Sequence, residues 1–189
     1  YIIMDNESSD GTKEIVEEYS PRFAARGIDF KFFSEKDEGL YDAVNKGIAR
    51  ADGEIVSYLC VDDEYTQDAF NIVVEQYKKS PFDYMFSSII LENELGKQML
   101  KKANKNTISA RGWNQVSVFA RREVMIKEPF KNYNMHCDYE QYLRIREKGY
   151  RIITSNRILA KFHFGGMSNS GNWRDLIKRY KMKKRIWDE

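Results

Sequence analysis

The stretch Ile55-Val56-Ser57-Tyr58-Leu59-Cys60, followed at once by Val61-Asp62-Asp63, constrains this chain more than any other. A near-continuous apolar run of this length suits a strand covered on both faces. Two adjacent carboxylates at its end need compensation, either from a cation or from a proton. Short apolar runs alternate with helix-like stretches around it. Tyr1-Ile2-Ile3-Met4 ends in the turn cluster Asp5 to Gly11, and the helix that follows carries Ile15, Val16 and Tyr19 on one face, with Pro21 near its end. Phe30 to Phe33 reads as a second strand. Leu40, Val44 and Ile48 then recur every four residues beside Ala43, Gly47 and Ala51, which predicts a helix whose small-residue face packs closely on a sheet. A helix from Gln67 to Lys79 and a strand from Tyr84 to Ile90 complete an alternation expected of an α/β fold with a mostly parallel central sheet and flanking helices.

The second half is less regular. Glu92 to Lys97 reads as a hairpin or loop, and Asn104 to Asn106 as exposed polar chain. A short helix is expected over Arg121 to Ile126 and a clearer one over Asp138 to Lys148, stopped by Gly149. Ile152-Ile153 and Leu159 to Phe164 read as strands before a Gly165-Gly166 turn. No repeat and no Pro-, Gly- or Ser-rich linker divides the chain.

Composition narrows the class. With 42% apolar and 14% aromatic residues, the 189-residue chain has enough material for a core, so it is not a disordered sequence. The net charge of +2 offers no broad field for a polyanion, and no groove-binding or base-stacking motif argues for nucleic acid. Cys60 and Cys137 lie far apart, which favours free thiols in a reducing, cytoplasmic setting. No apolar run approaches the roughly 20 residues that span a bilayer.

Ligands of an open α/β sheet bind beyond the carboxyl ends of its strands. Asp5, Asp37 and the Asp62-Asp63 pair all fall at or shortly after such ends. A divalent ion bound to a nucleotide diphosphate would relieve their mutual repulsion, because such ions take one or two carboxylates plus phosphate oxygens. Turn formation and helix capping are the plain alternatives for Asp10 and Asp37.

These residues stand in longer patterns. Ile3-Met4-Asp5-Asn6-Glu7-Ser8-Ser9-Asp10-Gly11-Thr12 resembles the Val-Asp-x-x-Ser-x-Asp-Gly-Thr segment of family 2 glycosyltransferases. Ser34 to Gly47 resembles that family's Ser-Glu-x-Asp-x-Gly-x-Tyr-Asp-Ala-x-Asn-Lys-Gly run. Ala51-Asp52-Gly53-Glu54-Ile55, Leu59 and Asp62-Asp63 match the approach to its metal-binding aspartates. Asn114-Gln115, Arg121-Arg122 and Asp138 to Arg144 are similar to its acceptor-side segments, and Phe164 to Ser168 to a late Gly-Gly-x-Ser turn. Val61 stands where a small polar residue is frequent, and a histidine often precedes the glutamine where Asn114 stands.

The resemblance implies a GT-A, Rossmann-like domain over residues 1–170; the residue pattern beyond it reads as a separate basic amphipathic helix over 171–189. Family members begin one strand earlier, so the domain is expected to lack a central strand. It further implies inverting transfer from a nucleotide sugar, most simply a UDP-sugar, to a saccharide or lipid-linked saccharide hydroxyl. Asp5 would contact the base, Asp37, Asp42 and Lys46 would line the nucleotide pocket, and Asp62 would sit near the ribose. Asp63 would hold Mn²⁺ or Mg²⁺, and Asp138 would be the general base. A catalytically degenerate nucleotide- or glycan-binding module is the alternative, and nucleotidyl transfer a further enzyme reading. His163 could approach the metal but reads first as a structural histidine, and Cys60 as a small buried residue. The tail over 172–189 sets Trp173, Leu176, Ile177, Tyr180 and Trp187 on one face of a basic helix. It reads first as a helix packed on the domain and, alternatively, as a contact with the inner face of an anionic membrane.

Overall fold

The computed structural model describes residues 1–106, 112–131 and 136–164. The Gly165-Gly166 turn and the helix expected over 171–189 lie outside them. Two sheets carry the architecture. In the first, β1 (Ile2–Asp5) and β2 (Lys31–Ser34) pair in parallel, joined by α1 (Thr12–Ala24). Pro21 is accommodated inside α1. Of the apolar face expected there, only Val16 is buried, while Ile15 and Tyr19 are exposed, because two strands offer a helix only a narrow apolar floor.

α2 (Leu40–Arg50) leads from this pair to the second sheet. Its small-residue face lets it approach β1 closely: a Cβ on Gly47 would lie 3.3 Å from Met4 Cγ. Tyr41 and Ile48 face the core, whereas Leu40, expected on that face, is exposed.

The second sheet contains β3 (Ile55–Val56), β4 (Glu64–Tyr65), β5 (Tyr84–Glu92), β6 (Gln98–Lys101), β7 (Phe119–Arg121) and β8 (Ile152–His163). Its order is β3-β7-β5-β8-β4, with β6 pairing β5 as a hairpin. The α/β class stands, but the expected mostly parallel pairing is corrected to a mixed one. β5 and β8 pair in parallel, while β7 runs back between β3 and β5, and β4 and β6 are also antiparallel to their neighbours. Periodicity reports the burial of a strand but not its direction, so it could not anticipate β7. The two segments expected at 152–153 and 159–164 form one long strand, whose pairing with β5 shifts around Ser87 and Ser88.

β5 is the central member, and its side chains alternate between two cores as the pleat requires. Tyr84 and Phe86 join the cluster built with Tyr41, Val118, Ala120, Tyr142 and Ile145, on the side of α2, α4 (Arg122–Lys127) and α5 (Cys137–Glu147). Met85 joins Phe119 and Leu159 on the other face, under Ala69 and Val73 of α3 (Ala69–Lys79).

The apolar run that begins at Ile55 is a ladder strand for only two residues. From Ser57 onward side chains take over, as the Ser57 hydroxyl bonds the Val118 carbonyl oxygen and the Tyr65 hydroxyl. The Asp63 N–H donates to the Cys60 carbonyl at 3.1 Å, which turns the chain before β4. The ladder is therefore exchanged for a turn just where the two aspartates must be presented.

Candidate active site

Asp5 is the last residue of β1 and only 8% exposed. Its Oδ2 accepts from the Ser34 hydroxyl at 2.6 Å and from the Ser8 N–H at 3.0 Å. Parallel pairing sets Asp5 opposite Ser34 in register, which explains the contact. Those hydrogen bonds, Ser34 first, outweigh burial and hold the carboxyl below its ordinary 3.8. Asp5 is accordingly a fixed acceptor with no proton to give at neutral pH.

Beside it lies an open groove of about 480 Å³ lined by Lys36, Asp37, Glu38, Asp42 and Lys46. The Asp37 N–H donates to Asn6 Oδ1 at 3.0 Å, tying this groove to the loop that follows Asp5. Asp37 Oδ1 accepts from the Gly39 N–H at 2.8 Å, so Asp37 shapes the turn into α2. Gly39 has φ of 119°, a conformation that side chains disfavour. Lys46 Nζ lies 2.8 Å from Asp42 and donates to the Lys36 carbonyl at 2.7 Å. The hydrogen bond to Asp42, above all, raises the Lys46 pKa and keeps it cationic. Asp10, by contrast, spends its Oδ1 on the Thr12 hydroxyl and N–H, the local turn chemistry expected of it.

Asp62 is exposed, whereas Asp63 is 8% exposed. The turn brings the Cys60 Sγ and a carboxylate oxygen from each aspartate within 4.8 Å of one another. Pairing of β4 with β8 carries the His163 backbone to Asp63, whose Oδ1 accepts its N–H at 3.2 Å. Burial pushes the Asp63 carboxyl up to about 6, with the charge of Asp62 adding to it and the His163 N–H opposing it. An ionised Asp63 is therefore under-compensated, and a divalent cation would supply what it lacks. The residues present fit such an ion. The His163 ring stands 3.6 Å from both Glu64 and Glu92.

Asp138 is the second residue of α5; His136 holds the N-cap position, so Asp138 is not itself the cap. Its Oδ1 lies 2.7 Å from the Tyr139 N–H, at the positive end of the helix, which favours the ionised form. The Tyr41 hydroxyl also bonds Asp138; burial first, then this carboxylate, raises the Tyr41 pKa. Cys60 lies in the electrostatic field of both acidic centres. Burial and the charges of Asp63, Asp62 and Asp138, in that order, push its thiol up to about 11.

Two clamps hold this arrangement. Asn45 on α2 bonds both backbone polar groups of Phe130, each at 3.0 Å. Glu128, 3% exposed, takes Arg144 and Lys148 of the α5 end at 2.7 Å each, and Gln141 donates to its carbonyl. Sequence reasoning missed Ser34, Tyr41 and Cys60 as neighbours of these acids. Ser34 and Tyr41 stood within a recognised run, but no spacing rule pairs them with Asp5 and Asp138. Asn114, quoted in an acceptor-side segment, is 1% exposed and donates to the Ser87 carbonyl, a core role.

A family model described as glycosyl transferase family 2 matches residues 1–181. The chain belongs to glycosyl transferase family 2. TuaG of Bacillus subtilis, a putative teichuronic acid biosynthesis glycosyltransferase, is 26% identical over 200 residues, covering 98% of this chain and 73% of TuaG. A poly-beta-1,6-N-acetyl-D-glucosamine synthase of Staphylococcus epidermidis is 37% identical over 81 residues, or 42% of this chain and 18% of the synthase. Among solved structures, S. aureus TarS 1–349 in complex with UDP-GlcNAc superposes with a TM-score of 0.68 at 15% identity, covering 90% of this chain and 52% of TarS. The mannosyltransferase PcManGT of Pyrobaculum calidifontis, in complex with GDP-Man and Mn²⁺, gives 0.66 at 16% identity over 89% of this chain and 48% of its own. The fold is GT-A, and the chain spans about half the length of these two solved relatives. Among the described residues, no helix is long and apolar enough to cross a membrane.

Proposed function

We propose that this chain carries the donor-binding and catalytic half-sites of an inverting glycosyltransferase that moves a sugar from a UDP-sugar to a saccharide hydroxyl. The observation that carries the reading is the clustering of Asp62 and Asp63 at the turn after Cys60, in a family 2 member whose Asp138 opens α5. Asp5, ionised and acceptor-only, would receive an N–H of the base. The groove of Asp37, Asp42 and Lys46 would border the nucleotide, and Asp62 would reach the ribose. Asp63 would hold Mn²⁺ or Mg²⁺; when bound, that ion offsets charge on the departing diphosphate.

The remaining work falls to Asp138. Kept ionised by its helix end, it takes the proton of the acceptor hydroxyl as the new bond to the anomeric carbon forms. The bond to the diphosphate breaks in the same displacement, so the configuration inverts. In this reading the protein works in the cytoplasm, and the basic 172–189 segment meets the inner face of a membrane where the acceptor is lipid-linked.

The test is calorimetry with UDP and Mn²⁺, followed by transfer assays with UDP-sugars and NMR of the product's anomeric configuration. Metal-dependent UDP binding and an inverted product support the reading. Retention of configuration, or the absence of UDP binding, would refute it. Binding with no turnover of any donor would leave a nucleotide-binding module in its place.

A further inference from the structure

The Cys60 thiol is absorbed by neither the donor groove nor the base. It lies within 4.8 Å of carboxylate oxygens from both Asp62 and Asp63, and it is half-buried. Donors at about 2.0–2.3 Å from one ion lie at most about 4.5 Å apart. The observed limit of 4.8 Å lies within a few tenths of an ångström of that span. The turn that closes on the Cys60 carbonyl keeps Cys60 and Asp63 on the same side of the chain.

We propose that Cys60 Sγ is a second protein donor beside Asp63 at the metal corner, so that the site selects thiophilic transition ions over Mg²⁺. This inference rests on the proposed metal role of Asp63. Its chemistry follows from donor softness. A site of carboxylates and phosphate oxygens suits Mg²⁺, which demands near-ideal oxygen geometry, whereas a thiolate favours Zn²⁺, Cd²⁺ and, less strongly, Co²⁺ and Mn²⁺. Ligation exchanges the S–H bond for an S–metal bond, and the proton leaves to solvent. No change in the oxidation state of sulfur or metal is required. Cys137 does not compete for this role, being 1% exposed with its thiol on the Lys131 carbonyl oxygen.

The experiment titrates the unmodified protein, Cys60→Ser, Cys60→Ala and Asp63→Asn with MgCl₂, MnCl₂ and CdCl₂, reading thermal stability. Ultraviolet absorbance is followed with CdCl₂ and CoCl₂, because only thiolate ligation gives a sulfur-to-metal charge-transfer band. The proposal expects that band in the unmodified protein and in Cys137→Ser, and its loss in both Cys60 variants. It also expects the apparent Cd²⁺ affinity to fall by about tenfold or more in Cys60→Ser, with Mg²⁺ changed by less than about twofold. An absent band, or Cd²⁺ and Mg²⁺ affinities that fall together in Cys60→Ser, overturns the thiol donor. In that case Mn²⁺ stabilisation that is lost only in Asp63→Asn keeps the metal corner standing. If Asp63→Asn binds all three ions as the unmodified protein does, the metal role of Asp63 fails, and the thiol inference fails with it.

Discussion

Asp63→Asn isolates the energetic tension at the metal corner. The carboxyl titrates at about 6 rather than 3.8, mainly because burial disfavours its charge. The gap is worth roughly 3 kcal/mol of differential stability. The sign follows from proton counting. Between 3.8 and about 6 the folded state holds the proton more tightly than the unfolded state, so stability falls as pH rises through that window. Above it the destabilisation is complete, and below it there is none. Asparagine keeps an oxygen for the His163 N–H and nearly the same volume, but it carries no charge. In the absence of metal, the variant should therefore match the parent near about pH 4 and exceed it by up to roughly 3 kcal/mol near about pH 7.5. For a chain of this size that is a rise in Tm of roughly 6–12 °C. Millimolar Mn²⁺ should reverse the order by stabilising the parent and leaving the variant unmoved. The assay is thermal and urea denaturation across pH, with and without Mn²⁺. A stability difference that does not change with pH, or equal stabilisation of both proteins by Mn²⁺, would refute the reasoning.

Four further outcomes follow from the same geometry. Asp138→Asn should lower the transfer rate by about a hundredfold or more while calorimetry shows UDP affinity unchanged. Asp5→Ala should instead raise the donor KM by about tenfold with kcat little altered, because it removes an acceptor that donor and transition state use alike. Asn45→Ala should cost about 2–3 kcal/mol in urea unfolding, since it strips both partners from the Phe130 backbone. Glu128→Gln should cost about 3 kcal/mol near neutral pH by leaving Arg144 and Lys148 without their buried counter-charge. Burial alone would raise the Glu128 carboxyl, but Lys148 and Arg144 outweigh it and hold it below 4.5. Its contribution is thus present above 4.5 and fades as pH falls through the lower folded value, so the Gln variant and the parent should converge in acid.

What the sequence made legible follows from what local patterns encode. Hydrophobic spacing located α2, α3, β5 and α5 within a few residues, because each buries one face or both. It could not reveal that β7 runs against its neighbours, since a residue's burial is the same in either direction. The strand-end acids were legible as a group, yet their partners were not. Asp5 meets Ser34 through the register of a parallel pair, and Asp63 meets the His163 backbone through β4 and β8, contacts that join distant parts of the chain. Cys60 shows the limit most clearly. Read along the chain it is a small residue inside an apolar run, for which burial is explanation enough. Only when the ladder breaks after Val56 and the chain turns back does its thiol face Asp62 and Asp63. The same break releases the two aspartates from strand alternation, which would otherwise send adjacent side chains to opposite faces of the sheet. One local departure from regular structure therefore gathers both acids and the thiol at one corner of the domain.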